Sequence, residues 1–404
     1  MLTSFRKYAY ILLMLVLLCL LCAACVPAVV PVDVTLAPSG NVTEAYIAPA
    51  MLPAATPSPT TQPQTETLAA YGRETPSASA SEEAAPAETS GESLTLVPVE
   101  IGGSTLYRMD DTDYLTLYPA VHSRDILTAM TAGADKWLGI VKKHPDVKYY
   151  AYYITRSIDC DWYREKEDIA VYDYASFYQN LIADAGVAFD KFEIRDFADY
   201  KDTGYKTDFH INHKGTDRVY GDIYDMLSAD MQLSPRKEPV KELDFDDLRI
   251  VGDLIFYEND RDAAIAYMNA MQPEQMDVFR TYKYDLGDYT SYVDDVKMVL
   301  GLEEEYEAGQ INRAPNAGHQ FSYYGGQTGI VRFEFDQPDK PNLLMCSDSQ
   351  GRPSRKLIAS HFNTTIFLDT NQWRTEDIDA ILEEYDIGVM LMTGQRSIFE
   401  VYGG

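Results

Sequence analysis

Asp208 and His210 stand two residues apart in the stretch Tyr205-Lys-Thr-Asp-Phe-His-Ile-Asn-His-Lys-Gly215. In an extended segment, residues i and i+2 project to the same side. A carboxylate placed this way accepts a hydrogen bond from the imidazole, fixes its tautomer and raises its basicity. An oriented base needs a nucleophile, and Ser349 is the best candidate. It follows the apolar run in Asn342-Leu-Leu-Met-Cys-Ser-Asp-Ser-Gln-Gly351, where strand-like sequence stops and helix-like sequence begins. A serine on a sharp strand-to-helix turn presents its hydroxyl at the end of a sheet. Ser347, in the same turn, is a weaker alternative nucleophile. Taken singly, an Asp-x-His pair or an Asp-Ser after a strand is more often a turn or a helix cap. Their order and context together favour a site.

The elements around these residues must bring them together. Val147–Ile154 reads as a buried strand, Tyr174–Ala185 as a helix ended by Gly186, and Phe189–Phe197 as a further strand region. A helix is expected from about His213 to Ala229, and a strand from Leu248 to Phe256 opens a middle section. That section holds a helix at Arg261–Met271, then polar, acidic stretches up to Gln310. After a strand at Ile330–Phe335, the C-terminal part alternates. Strands at Asn342–Cys346, Thr365–Leu368 and Ile387–Met392 are separated by helices at Arg355–His361 and Thr375–Tyr385. Strands alternating with helices argue for an α/β fold with a parallel sheet covered on both faces. Ligands of such sheets bind at the carboxyl ends of the strands, where Ser349 lies. Nearer the start of the folded body, Leu94–Ile101 alternates toward strand, Thr105–Arg108 pairs with it, and Thr131–His144 reads as a helix closed by Pro145.

The 404 residues carry 34 Lys+Arg against 63 Asp+Glu, a formal charge of −29. A field of that sign repels phosphate backbones, so nucleic acid is not an expected partner. Thirty tyrosines suit carbohydrate surfaces, and they suit sheet faces equally. No metal signature, phosphate-binding glycine loop or dinucleotide fingerprint is present, so no cofactor is expected. His210 and His213 are three apart but lack the clustered acids of a metal site.

Residues 1–25 have a charged start at Arg6 and Lys7, an apolar run from Tyr8 to Leu21, and then Cys22-Ala-Ala-Cys25. This pattern is similar to a bacterial lipoprotein signal, with Cys25 as the lipidated residue after cleavage and Cys22 where leucine is usual. The run is short for a membrane span, which needs roughly 20 residues. A lipid-anchored or a spanning leader alike puts the remainder outside the cytoplasm, anchored to the cell membrane. The Cys22/Cys25 spacing is no redox pair, because it lies in the targeting segment. Only Cys160 and Cys346 remain for the folded body, and the sequence leaves their pairing open. Residues 26–93, rich in Ala, Pro, Ser and Thr, cannot bury enough apolar surface to offset ordering entropy. They read as a tether. A folded domain is expected over 94–404, with an insertion around 258–325.

The motifs T-D-F-H-I-N-H-K-G, Y-Y-G-G at Tyr323–Gly326 and L-L-M-C-S-D-S at Leu343–Ser349 occur in this order. From about Val147 to Met392, the chain resembles the SGNH-hydrolase-like DHHW-type proteins of bacterial envelopes, relatives of the alginate O-acetyltransferases. The resemblance implies an SGNH-like, flavodoxin-like α/β/α sandwich with a mainly parallel sheet. It implies a triad with Ser349 as nucleophile, His210 as base and Asp208 as the acid that orients it. Phe209 and Ile211 stand where the family's motif has His and Trp, and Ser347 stands where glycine is frequent.

In a catalytic reading, the oxyanion needs backbone N–H donors. The turn after Asp348 supplies candidates, with Gly351 allowing close approach. Gly325 and Gly326 form a second candidate loop, although a plain turn explains them equally well. His319 reads more readily as a solvated loop residue. Asn371, Trp373 and Arg374, at a second sheet edge, are candidates to line a glycan groove, and Trp373 also fits as a packing residue. The expected activity is O-acetyl transfer, or esterase action, on a cell-envelope polysaccharide. The alternative is a non-catalytic surface lipoprotein on the same fold that binds a glycan or an envelope-assembly partner.

Overall fold

The computed structural model describes residues 94–101, 103–116, 124–156, 173–250, 261–297 and 330–400, all within the compact unit Pro86–Gly404. The described chain enters through a small antiparallel sheet of β1 (Leu96–Ile101), β2 (Ser104–Met109) and β3 (Leu115–Thr116). Helix α1 (Arg124–Lys143) buries Met130, Ala134, Trp137 and Ile140, the three-to-four spacing of a single helical stripe. It begins earlier than the apolar periodicity indicates. Asp125 in its first turn and Lys142 and Lys143 in its last complement the helix dipole.

Then come β4 (Lys148–Ile154), α2 (Tyr174–Ile182), β5 (Ala188–Phe192), α3 (Phe197–Thr203) and α4 (His213–Ser228). The middle section contains β6 (Pro239–Ile250), α5 (Arg261–Ala270), β7 (Asp277–Tyr284), β8 (Thr290–Val293) and β9 (Val296–Lys297). The C-terminal part is β10 (Val331–Glu334), β11 (Asn342–Ser347), α6 (Arg355–Ala359), β12 (Thr364–Asp369), α7 (Thr370–Thr375), α8 (Ile378–Glu384) and β13 (Ile387–Gly394).

Among the described residues, the main sheet has eight strands in the order β5-β4-β13-β11-β12-β10-β8-β9. From β5 to β12 the neighbours are parallel. Beyond β12, the pairs β12–β10, β10–β8 and β8–β9 are antiparallel. The expectation of a mainly parallel sheet is therefore corrected to a mixed one. A parallel crossover takes a dozen or more residues, and only Phe335–Pro341 lies between β10 and β11. The chain reverses there instead. Strand β6 pairs with β7 in a separate two-stranded sheet. It starts earlier than the strand expected over 248–256, and residues 251–256 of that expectation lie outside the described ones. Strands β7, β8 and β9 fall in the stretch that reads as polar and acidic.

Successive strand residues face opposite layers. Tyr150, Tyr152, Leu343, Met345, Val389 and Leu391 share one core with Val219, Tyr220 and Ile223 of α4 and with Ile358 of α6. Tyr149, Ala151, Tyr153, Leu344, Cys346 and Met390 share the other with Trp137 of α1, Tyr178 of α2 and Ile381 of α8. Helices thus cover both faces, which is why β11 and β13 read as unbroken apolar runs. Tyr150, Tyr152, Tyr153, Tyr178 and Tyr220 are among the largest fully buried side chains. Part of the tyrosine excess is therefore core packing. Among the described residues, Cys346 is a buried free thiol, and Cys160 lies outside them.

The leader, the tether, Cys25, Cys160, His319, Gly325 and Gly326 lie outside the described residues. No described helix is long and apolar enough to cross a membrane.

Candidate active site

The loop that carries Asp208 and His210 joins α3 to α4. The Asn212 side chain caps α4 by accepting from the N–H groups of Lys214 and Gly215, as helix starts require. An antiparallel bridge between Gly204 and Ile211 closes the loop at its base. At Gly215 a Cβ would lie 2.6 Å from the Thr203 carbonyl oxygen, so only glycine fits this first turn. From outside, the Leu115 N–H donates to the Lys206 carbonyl at 2.7 Å. The Lys206 N–H in turn donates to Asp277 Oδ2 at 2.6 Å. Strands β3 and β7 therefore brace the loop.

Ser349 lies in the turn after β11. The preceding Asp348 is buried, and its carboxylate is a strut. Its Oδ1 accepts the Gln350 N–H at 2.9 Å, and its Oδ2 accepts the Gln395 N–H at 2.9 Å and the Ser397 hydroxyl at 3.2 Å. The turn is thereby tied to the end of β13. Burial pushes the Asp348 carboxyl up, and these hydrogen bonds oppose the rise. Gly394, at φ +150°, gives the strut room, because a Cβ there would sit 2.5 Å from Asp348 Oδ1. Ser347 is fully buried, and its hydroxyl donates to the Asp348 carbonyl at 3.1 Å. A Cβ on Gly351 would fall 2.1 Å from the Ser347 Oγ. Packing on Ser347 is thus enough to require glycine at 351, whatever the residue does for a ligand.

The two loops meet at His210. Its Nε2 is 2.7 Å from Ser349 Oγ, across 139 residues of chain. Its Nδ1 is 2.5 Å from Asp208 Oδ1, and the same oxygen accepts the His210 backbone N–H at 2.9 Å. A carboxylate on Nδ1 selects the tautomer that leaves the Nε2 lone pair facing the serine hydroxyl. Asp208 is 0% exposed and His210 1%, whereas Ser349 is only partly buried. The relay therefore runs from a dry interior to an accessible hydroxyl.

Two further residues complete this geometry. The Phe209 ring stacks on the imidazole, with centroids 4.5 Å apart and planes 24° apart. The buried Gln350 side chain accepts the Ile211 N–H at 3.3 Å and donates to the Phe209 carbonyl at 3.1 Å. Sequence reasoning missed Gln350, because a glutamine beside a serine carries no motif and its partners are backbone atoms far along the chain. It also missed Asp277, which braces Lys206.

The other residues singled out in the sequence stand apart from the relay contacts. His213 is buried, with its ring edge against Tyr282 and its Nε2 3.5 Å from Glu242 Oε1. Burial holds its imidazole below the ordinary range. Among the described residues, no group of three or more His, Cys, Asp or Glu is arranged to hold a metal ion. Asn371 lies in α7, which opens directly after Asp369, the residue in register with Ser347 on the neighbouring strand. Trp373 is buried in the second core, with Lys136 Nζ 5.1 Å from its ring, which makes it a packing residue.

In fold, the chain is similar to DHHW-type proteins. A DHHW family protein from Eubacterium siraeum matches 77% of this chain and 96% of its own length, at 15% identity and a TM-score of 0.52. Bacillus cereus PatB1, solved with a sulfonyl adduct, matches 72% of this chain and 96% of its own, at 15% identity and a TM-score of 0.53. The O-acetyltransferase domain of Pseudomonas putida AlgJ matches 77% of this chain and 94% of its own, at 10% identity and a TM-score of 0.41. At the identities of the first two, the likeness is one of fold. No family model matches the chain, and no curated protein does.

Proposed function

We propose that this chain is an extracytoplasmic serine acyltransferase that moves acetyl groups onto, or removes them from, hydroxyls of a cell-envelope polysaccharide. The observation that carries the reading is the buried Asp208–His210 pair aimed at a partly exposed Ser349. O-acetyl transfer to a glycan comes from the resemblance to the DHHW-type proteins and fits that geometry.

In this reading, Ser349 Oγ attacks the acetyl carbonyl while its proton passes to His210 Nε2. Asp208 stabilises the imidazolium. The leaving group takes the proton from His210, and acetyl-Ser349 remains. A sugar hydroxyl then attacks, loses its proton to His210 and restores the Ser349 hydroxyl. If water attacks, the outcome is hydrolysis. The oxyanion needs aligned N–H donors. The Gln350 N–H is engaged by Asp348, so the backbone of Ser349 and Gly351 is the candidate donor pair in this turn. Gly325 and Gly326 are the other candidate loop, and Asn371 is a candidate to line the acceptor groove. Lipidation at Cys25 would hold the enzyme at the membrane, with residues 26–93 as its tether. Cys25→Ala is expected to move the protein from the membrane fraction to the medium or periplasm.

Turnover of a chromogenic acetyl ester by the wild-type chain and by Ser349→Ala tests the activity. Loss in the variant supports the acyl-serine. Absence of turnover from a folded wild type, with the natural glycan and a range of acetyl donors supplied, favours the non-catalytic reading. Phe209, Ile211 and Ser347, which depart from the family's motifs, favour that second reading.

A further inference from the structure

Gln350 is adjacent to the proposed nucleophile, yet its side chain points into the opposite loop. The carboxamide oxygen accepts the N–H of Ile211, and the amide nitrogen donates to the carbonyl of Phe209. These two backbone groups flank His210 on either side. A single side chain thus clips the peptide before the histidine and the peptide after it, much as a strand partner would. Its own N–H is fixed by Asp348, which is fixed in turn to Gln395 and Ser397 at the end of β13. Gln350 is 2% exposed, so water does not substitute for either bond.

We infer that Gln350 is a positioning residue that sets the His210–Ser349 distance by holding the backbone of the histidine loop to the serine turn. The inference rests on the acyl-serine reading. A carboxamide is required, because the clip needs one donor and one acceptor on the same planar group. Leucine removes both bonds. Ionised glutamate keeps an acceptor for Ile211 but turns a second acceptor toward the Phe209 carbonyl. Protonated glutamate restores a donor and so mimics the native amide. A histidine displaced by even about 1 Å loses on the order of a hundredfold in rate, whereas a merely structural glutamine would change stability and leave the reaction rate alone.

The test measures sulfonylation of Ser349 by phenylmethylsulfonyl fluoride in the full chain, with the site read by peptide mass spectrometry. In this step the Ser349 Oγ–sulfur bond forms, the sulfur–fluorine bond breaks and fluoride departs. The hydroxyl proton passes to His210 and on to water. Rates for wild type, Gln350→Leu and Gln350→Glu are followed from acid to alkaline pH. Each variant is normalised to wild type at the same pH. His210, Asp208 and Asp348 face the same turn, so the uncharged Gln350→Leu is the reference for any pH dependence that does not come from the new carboxyl. Gln350→Leu is expected to react about 10- to 100-fold more slowly. Gln350→Glu should be slow at alkaline pH and approach the wild-type rate as its carboxyl takes up a proton. If Gln350→Leu does not fold, the pH signature of Gln350→Glu carries the test. Variants that react at the wild-type rate across the pH range overturn the positioning role, while Ser349 labelling of the wild type leaves the acyl-serine reading intact. A folded wild type that is not labelled at Ser349 overturns that reading, and the inference with it.

Discussion

The Phe209 ring lies against the His210 imidazole at 4.5 Å and packs with a small cluster of Ile101, Leu106, Leu115 and Met276. The N-terminal three-stranded sheet, which is separate from the main sheet, therefore reaches the histidine through one aromatic side chain. Fully burying a Phe and then truncating it to Ala costs ~3–5 kcal/mol. Phe209 is half-buried, so Phe209→Ala is expected to cost about 1–3 kcal/mol in urea denaturation. Phe209→Leu should recover most of that stability without the flat contact on the imidazole. If both variants react at Ser349 as fast as wild type, the ring contributes packing alone.

Gly351 and Ser347 form a pair in which either residue determines what the other can be. A Cβ at 351 meets the Ser347 Oγ at 2.1 Å and the Ser347 Cβ at 3.3 Å. Gly351→Ala alone is expected to be strongly destabilising. Ser347→Gly removes both clashing atoms, and the remaining contact with Thr393 Cγ2 at 3.1 Å needs only a small shift. A double-mutant cycle by denaturant unfolding should give a favourable coupling of about 1–3 kcal/mol. Additive effects would contradict the proposed contact.

Asp277 gives the histidine loop a pH-dependent brace. Burial pushes its carboxyl up to about 6. The Lys206 hydrogen bond and the charges of Lys206 and Arg280 pull it down, and the nearby Asp208 pushes it up. The folded state thus holds this proton more tightly than the unfolded chain does. The associated stabilisation is full below about pH 4 and is lost as pH rises through about 6. Asp277→Asn keeps an acceptor for the Lys206 N–H and does not titrate. Relative to wild type, it should become progressively more stable between about pH 4 and about pH 7. Parallel stability curves for the two proteins would show that folding does not raise the Asp277 carboxyl.

The sequence makes some of this architecture legible and hides the rest for identifiable reasons. Asp208, His210 and Ser349 stand out because short-range spacing and a strand-to-turn break mark them. The apolar runs of β4, β11, β12 and β13 mark strands buried on both faces. Strand direction left no such mark. Nothing within Val331–Glu334 says that it runs against its neighbour, although the short Phe335–Pro341 link, with no room for a crossover helix, was an available signal. Strands β8 and β9, four and two residues long, are too short for periodicity to declare them. Gln350 and Asp277 act on backbone N–H and C=O groups of a distant segment, and those groups are the same in every residue. Sequence patterns therefore cannot point to such partners.

The account's central claim is that Ser349 carries an acyl group through His210. The most direct measurement is rapid-quench peptide mass spectrometry of the chain mixed with an activated acetyl ester, beside His210→Ala and Ser349→Ala. The account predicts acetyl on the Ser349 peptide of the wild type within a turnover. It predicts formation slowed at least about a thousandfold in His210→Ala, the scale on which removal of a triad member acts, and no acetyl at this position in Ser349→Ala. Turnover of the ester with no acetyl on Ser349, or acetylation that is indifferent to His210, would contradict it.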